Sequence, residues 1–361
     1  EGLEGRVLGL DPSPGAGLQH AQHDGTEAGG GEHCADSVEM RTTAGERDVV
    51  CGGFLGWDAL AHLRRLGLDP MSLGARPIHR LRLVAGKRVV ETALPEPAAG
   101  LSRRRFDATL LRMAEEAGAA VLRGRTARAV EEKSVRLEDG ETLDADALFI
   151  ATGKHELRGS GRPIGGRALS AGLRTVVPAP ADLAGTIELH LYDGGYAGLL
   201  VQEDGAANLC LSVSHARMAD GREAFLSRLM RDAPLLAERL SGSPPNEWEA
   251  IAGVPYGWRA RSTEAGTYRV GDQAAVIASL AGDGIAVALA SGAAAAQACL
   301  HGDGSGARVY QRDFARRAFR PVRIAETLRH MAEHRGERGL MMGLAKVNGL
   351  ARLAARLTRI S

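Results

Sequence analysis

The chain has 361 residues and is 44% hydrophobic, enough for a sizeable core in one large domain or two ordinary ones, and too apolar for a disordered chain. Its 45 basic and 44 acidic residues balance, which excludes nucleic-acid binding through bulk charge and leaves only a local basic patch open. Cys34, Cys51, Cys210 and Cys299 lie far apart with no Cys-x-x-Cys pair, which speaks against a disulfide scaffold or cysteine zinc site and for a reducing, cytoplasmic setting.

Residues 1–48 are rich in Gly, His, Asp and Glu, and their one short apolar patch, Val7-Leu8-Gly9-Leu10, predicts loop or disorder. From Cys51 onward the pattern is globular. Residues 54–66 predict a helix, and 78–94 predict two strands hinged at Ala85-Gly86. Ser102 caps a helix running to Ala117, with Phe106, Leu110 and Met113 on one face and Gly118 as its stop. Residues 119–122 read as a buried strand, short strands follow near 127–137, and Asp146–Ala151 forms a buried strand opening into Thr152-Gly153. Residues 186–192 alternate strictly, with Ile187, Leu189 and Leu191 on one face, and strands near 197–201 and 208–213 continue a half-buried antiparallel sheet. A helix over 221–241, a strand at Tyr268–Val270, a small-residue helix over 284–300 and a helical tail complete the order. This predicts two interleaved α/β domains. No membrane span or signal peptide is expected, because Gly282-Asp283-Gly284 and Gly292 break the apolar stretch 274–300.

The strongest chemical signal is the stretch 268–292. An Asp after a strand-ending glycine, at Gly271-Asp272, can accept hydrogen bonds from sugar-like hydroxyls. A glycine-flanked helix start offers free N–H groups to an electron-rich ligand, and Gly282 and Gly284 let backbone approach a flat ring. The residues alone equally allow a buried alanine-rich helix after a glycine turn.

VGDQAAVIASLAGDGIAVALASG resembles the second flavin-binding fingerprint of the FAD-dependent oxidoreductases that include geranylgeranyl reductases and aromatic-ring hydroxylases. The resemblance implies FAD, with Gly271 and Asp272 at its ribityl chain and Gly282, Asp283, Gly284 and Ile285 near its ring. CGGFLGW resembles the segment those reductases place beside the flavin, implicating Cys51 and Gly52. LSRRRFDATLL resembles the helix whose arginine approaches the FAD pyrophosphate, and its spacing selects Arg103. DALFIATGKHELR resembles the Ala-Thr-Gly strand end of such flavoproteins, giving Thr152 and Gly153. The sheet 187–211 resembles the substrate domain, with Tyr196 at the family's pocket aromatic.

One part departs from that family, whose βαβ unit opens with G-x-G-x-x-G. Here Gly15-Ala16-Gly17 is followed by His20 at the third position, and Gly29-Gly30-Gly31 by Cys34. Glu39 has the place of the ribose acid, but no strand is legible before it. The spacing of the unit survives without its periodicity, as a frameshift across residues 9–40 would produce. No histidine shows ligand spacing, and no metal site is expected.

The fold implied is a Rossmann-like FAD-binding domain (1–70, 95–165, 250–300) with an inserted antiparallel-sheet substrate domain (71–94, 166–249) and C-terminal helices (301–361). The function implied is NAD(P)H-dependent reduction of FAD, followed by isoprenoid-like double-bond reduction. Alternatives are hydroxylation of an aromatic or polyketide-like substrate, or an inactive flavoprotein remnant. Partners expected are a small hydrophobic or aromatic substrate and no nucleic acid. The stripe Leu340, Leu344, Val347, Ala351, Ala354 and Leu357 allows peripheral membrane contact, although packing on the body is favoured.

Overall fold

In the computed structural model the residues described are 7–11, 37–41, 45–241, 245–301, 306–347 and 349–360. Five of their strands form a parallel sheet in the order Thr267–Arg269, Ala147–Ile150, Val7–Asp11, Ser37–Arg41 and Ala120–Arg123. Numbered along the chain these strands stand 5-4-1-2-3, the doubly wound order. Its switch point lies between Val7–Asp11 and Ala147–Ile150, where ligands bind beyond the carboxyl ends of the strands.

This corrects the reading of residues 1–48 as loop or disorder. Val7–Asp11 is an inner strand paired on both edges, and Ser37–Arg41, which contains Glu39, lies beside it. Neighbouring strands, more than local composition, decide whether a short segment extends. The glycine runs at 15–20 and 29–34 lie outside the described residues.

The second sheet has eight strands, in the order Glu249–Val254, Ser170–Val177, Ala207–Ser214, Gly195–Val201, Thr186–Tyr192, Arg76–Ala85, Arg88–Gly100 and Phe54–Leu55. Its pairings are antiparallel except between Thr186–Tyr192 and Arg76–Ala85. Its strands leave the first sheet twice, after Ser37–Arg41 and after Ala147–Ile150, so the two sheets interleave along the chain. The hairpin at Ala85-Gly86 forms, with strands longer than expected. Residues 120–123 are an edge strand with half-exposed side chains, not the buried strand expected, because only one neighbour covers them.

The strands Thr186–Tyr192, Gly195–Val201 and Ala207–Ser214 are buried on both faces, where half-burial was expected. Tyr192, Leu209 and Leu211 pack under the helices Arg222–Asp232 and Pro234–Arg239 with Phe225, Leu229 and Leu236. Leu83, Leu191 and Tyr196 pack under the tail helices Phe319–Glu333 and Arg335–Lys346. The alternation at 186–192 is real, but its polar face, with Glu188 and His190 both 1% exposed, is covered too. Glu188 accepts from His190 Nε2 at 2.7 Å, Arg82 Nη1 at 2.7 Å and Arg239 Nη2 at 2.8 Å. Burial would raise its carboxyl, but these hydrogen bonds outweigh burial and hold it well below the usual carboxylate range. A depressed carboxylate adds stability above its unfolded pKa and loses it as pH falls toward its folded one. Stability should therefore drop below about pH 4.5, the ordinary value. Glu188→Gln should be less stable at neutral pH and flatter through that acid limb, as read by urea unfolding at pH 3–7.

The helix Gly284–His301 is long and apolar enough to cross a membrane by length and composition alone. In this fold it packs against Trp57–Arg65 and Gly306–Arg317, with Val287, Ala290 and Ala295 in the core.

Candidate functional site

One cavity of about 880 Å³ begins beside the parallel sheet, crosses one face of the second sheet and ends among the C-terminal helices. It gathers most of the residues singled out in the sequence. Cys51, Gly52, Arg103, Gly153, Tyr196, Gly271, Asp272, Gly282, Gly284 and Ile285 all line it, and so does Glu39. Thr152 and Asp283 are not in its lining: Thr152 is 1% exposed and donates from Oγ1 to the His155 carbonyl at 2.9 Å.

The Cys51-Gly52-Gly53 turn is pinned from the second sheet. Asn208, 1% exposed, donates from Nδ2 to the carbonyls of Cys51 at 3.0 Å and Gly52 at 2.8 Å. Its Oδ1 accepts from Arg174 Nε at 2.7 Å. Gly53 has φ +69°, and a Cβ there would lie 2.4 Å from Gln202 Nε2 and 2.9 Å from the Leu101 carbonyl. Asn208→Ala removes all three hydrogen bonds, and leaving buried groups unsatisfied should cost about 1–3 kcal/mol in urea unfolding. Two residues along the same strand from Asn208, burial pushes the Cys210 thiol up to about 12 and leaves it a poor nucleophile.

Polar groups cluster where the sheet strands end. Asp272 Oδ2 accepts from Lys154 Nζ at 2.9 Å. Burial opposes the Lys154 charge, but Asp272 outweighs it and holds the ammonium above its usual range. Arg162 donates to the carbonyls of Asp272 at 3.1 Å and Lys154 at 2.6 Å, and Gln273 Nε2 donates to those of Gly153 and His155. These bonds tie the 153–155 and 271–273 loops into one rigid edge. Ser102 caps its helix as predicted, its Oγ accepting from Arg105 N–H at 3.2 Å. One turn on, Asp107 grips Arg103 through two contacts of 2.8 Å each and fixes the guanidinium at the cavity wall.

Asp283 takes a different role from the one expected. Its carboxylate is 0% exposed and pairs with Arg359 from the end of the tail. Arg359 also stacks 3.9 Å from the centroid of Trp57 and stands 3.5 Å from Asp58. The glycines on either side, Gly282 and Gly284, face the cavity while the aspartate turns inward.

Farther along, Tyr196, Ser279 and Tyr256 line the wall. Ser279 Oγ is 2.6 Å from the Tyr196 hydroxyl and 2.8 Å from that of Tyr256, which accepts from Ser212 Oγ at 3.3 Å. The Tyr196 oxygen also accepts from the Leu280 N–H at 3.0 Å. Ser212 also interacts with Tyr196, so the four hydroxyls form one connected network at the cavity wall. Leu81, Leu83 and Leu189 belong to the same apolar cluster as Tyr196.

Lys154, Asn208, Tyr256, Ser279 and Arg359 escaped the sequence reading. Lys154 and Ser279 lie inside segments already singled out, so position could have flagged them. Asn208 and Arg359 act on partners more than 70 residues away, and no local pattern marks them.

No protein-family model matches this sequence, and no curated protein matches it either. Solved structures do resemble it. PqsL, a probable FAD-dependent monooxygenase from Pseudomonas aeruginosa, matches at 18% identity and TM-score 0.64 over 85% of this chain and 93% of its own. The flavin-dependent brominase Bmp2 matches at 14% identity and TM-score 0.69 over 90% and 87%. The myxobacterial chondrochloren halogenase CndH, an FAD-dependent halogenase, matches at 20% identity and TM-score 0.66 over 90% and 85%. The chain thus has the fold of flavin-dependent monooxygenases and halogenases.

Proposed function

We propose that this chain is an FAD-dependent oxidoreductase that oxygenates a hydrophobic substrate. The observation that supports this best is the single cavity joining the switch point of the parallel sheet to an apolar chamber under the second sheet. The lining fits the cofactor. A Cβ built on Gly52, Gly153 or Gly284 meets nothing within 4 Å, so the backbone itself borders the space where a flat ring and its chain would lie. Gly52, Gly284 and Ile285 would face the ring, Gly271 and Asp272 the ribityl hydroxyls, Arg103 and Gly153 the pyrophosphate, and Glu39 the adenosine ribose. When bound, FAD would supply the redox chemistry, taking hydride from transiently docked NAD(P)H.

The protein's own contribution is binding, orientation and exclusion of water. Asp272, held by Lys154, presents a fixed acceptor edge. A hydroxyl of the Tyr196–Ser279–Tyr256 network, exchanging a partner, would donate to an oxygen of the substrate and fix which carbon faces the flavin. Ser279→Ala breaks two of the network's links, and should lower kcat/KM about ten-fold with FAD affinity unchanged.

A second reading, reduction of an isoprenoid-like double bond, is favoured by the Cys51-Gly52-Gly53 segment at the cavity wall. Oxygen uptake and NAD(P)H oxidation, each with phenolic and with isoprenoid compounds, separate the two. Substrate-dependent oxygen uptake yielding a hydroxylated product supports oxygenation. Anaerobic NAD(P)H oxidation with loss of a substrate double bond supports reduction. Neither, in flavin-loaded protein, favours the inactive remnant.

A further inference from the structure

The far end of the cavity is built by the last helix, Leu350–Leu357, which packs on the strand Arg88–Gly100 and the helix Phe319–Glu333. Leu350, Leu353 and Leu357 are spaced three and four apart, so they share one face. All three line the cavity, yet they are 41%, 51% and 47% exposed. Half of their surface has no protein against it. An apolar stripe that opens on an apolar chamber suits an apolar occupant, and it is continuous with the Leu81, Leu83 and Ile187 wall.

Besides that packing, a buried polar contact fixes the end of the helix. Arg359, two residues past the helix, inserts between Asp283 and Trp57 with its side chain 8% exposed. Room for it depends on Gly56, where a Cβ would lie 2.5 Å from Arg359 Nη1. Its partner Asp283 sits between two cavity-lining glycines, so the same contact joins the tail to the loop beside the polar end of the chamber.

We infer that the Leu350–Leu357 helix is a binding wall for the extended apolar chain of the substrate, and that Arg359 is the positioning residue that keeps this wall closed. The inference rests on the reading of this cavity as the substrate chamber. It makes the substrate a molecule with an oxygen-bearing end near Ser279 and a long apolar remainder along the tail helix. A ring without such a chain would leave the leucines bare.

The test uses the full chain supplemented with FAD, and 1-dodecanol as the probe. Arg352 and Arg356 are exposed on this helix, so tryptic cleavage there, followed by mass spectrometry, reads its release from the body. Dodecanol should slow that cleavage about ten-fold, a size set by burial of one or two leucine surfaces, and octanol less. Leu353→Glu, at an exposed position that tolerates a polar side chain, should abolish the protection while FAD affinity stays within about two-fold. Arg359→Ala should speed cleavage without ligand and lose the protection, and Arg359→Lys should restore part of it. Equal protection in wild type and Leu353→Glu overturns the inference. So does flotation of the wild type with phosphatidylglycerol vesicles that Leu353→Glu abolishes while dodecanol has no effect, since the leucines would then be a membrane face. Failure to bind FAD with dodecanol protection intact would sink the flavin reading and leave this one standing.

Discussion

Asp272→Ala is expected to weaken FAD binding by about 30- to 150-fold, the equivalent of about 2–3 kcal/mol for hydrogen bonds involving a charged group. The side chain lines the cavity at the end of Thr267–Arg269, where the resemblance puts the ribityl hydroxyls. Truncation removes the acceptor and also strips Lys154 of its partner at 2.9 Å. The freed ammonium would then swing toward the nearest anion, and the edge formed by the 153–155 and 271–273 loops would lose one of its ties. Asp272→Asn keeps an acceptor oxygen and should lose only about ten-fold. Titration of each variant with FAD, followed by flavin fluorescence, measures both values. Equal affinity in wild type and both variants would remove Asp272 from the cofactor site.

Arg359→Ala should be the most destabilising single change, at about 3–5 kcal/mol. It strands the Asp283 carboxylate, which is 0% exposed, and leaves Asp58 without its neighbour at 3.5 Å. Burial pushes the Arg359 guanidinium down to about 10 against the pull of Asp58, so the group still carries its charge at neutral pH. The pair is therefore costly to bury and costlier to break. Replacing both partners of the buried pair by apolar residues, Arg359→Met with Asp283→Leu, should recover the part of the loss that comes from stranding the Asp283 carboxylate, while Asp58 still lacks its neighbour. Urea unfolding of the single and double variants provides the comparison. A double variant no more stable than Arg359→Ala would show that the ion pair is not what the tail depends on.

Much of the fold could be read from periodicity. The helix Arg103–Glu116 with Ser102 as its cap, the hairpin at Ala85-Gly86 and the helix beginning at Gly284 each announce themselves within one local window. The strands Val7–Asp11 and Ser37–Arg41 do not, because what makes them strands is a pair of neighbours brought in from residues 120–123 and 147–150. The site divides the same way. Gly271, Asp272, Gly284 and Arg103 sit at turns and helix starts with a recognisable spacing, and they meet in one cavity. Asp283 shares that spacing but turns inward, because a buried guanidinium from position 359 offers it a partner. Asn208 matters through its bond to Cys51 and Tyr256 through its bond to Ser279, which a linear pattern does not record.

The cavity at the switch point should hold FAD despite the unusual glycine spacing at 15–20. Titrating the purified protein with FAD and recording the visible spectrum of bound flavin tests it most directly, with Asp272→Ala alongside. The wild type should show a perturbed flavin spectrum saturating at one FAD per chain, and the variant much weaker binding. A wild type whose added flavin keeps the spectrum of free FAD at every concentration rules the cavity out as a flavin site.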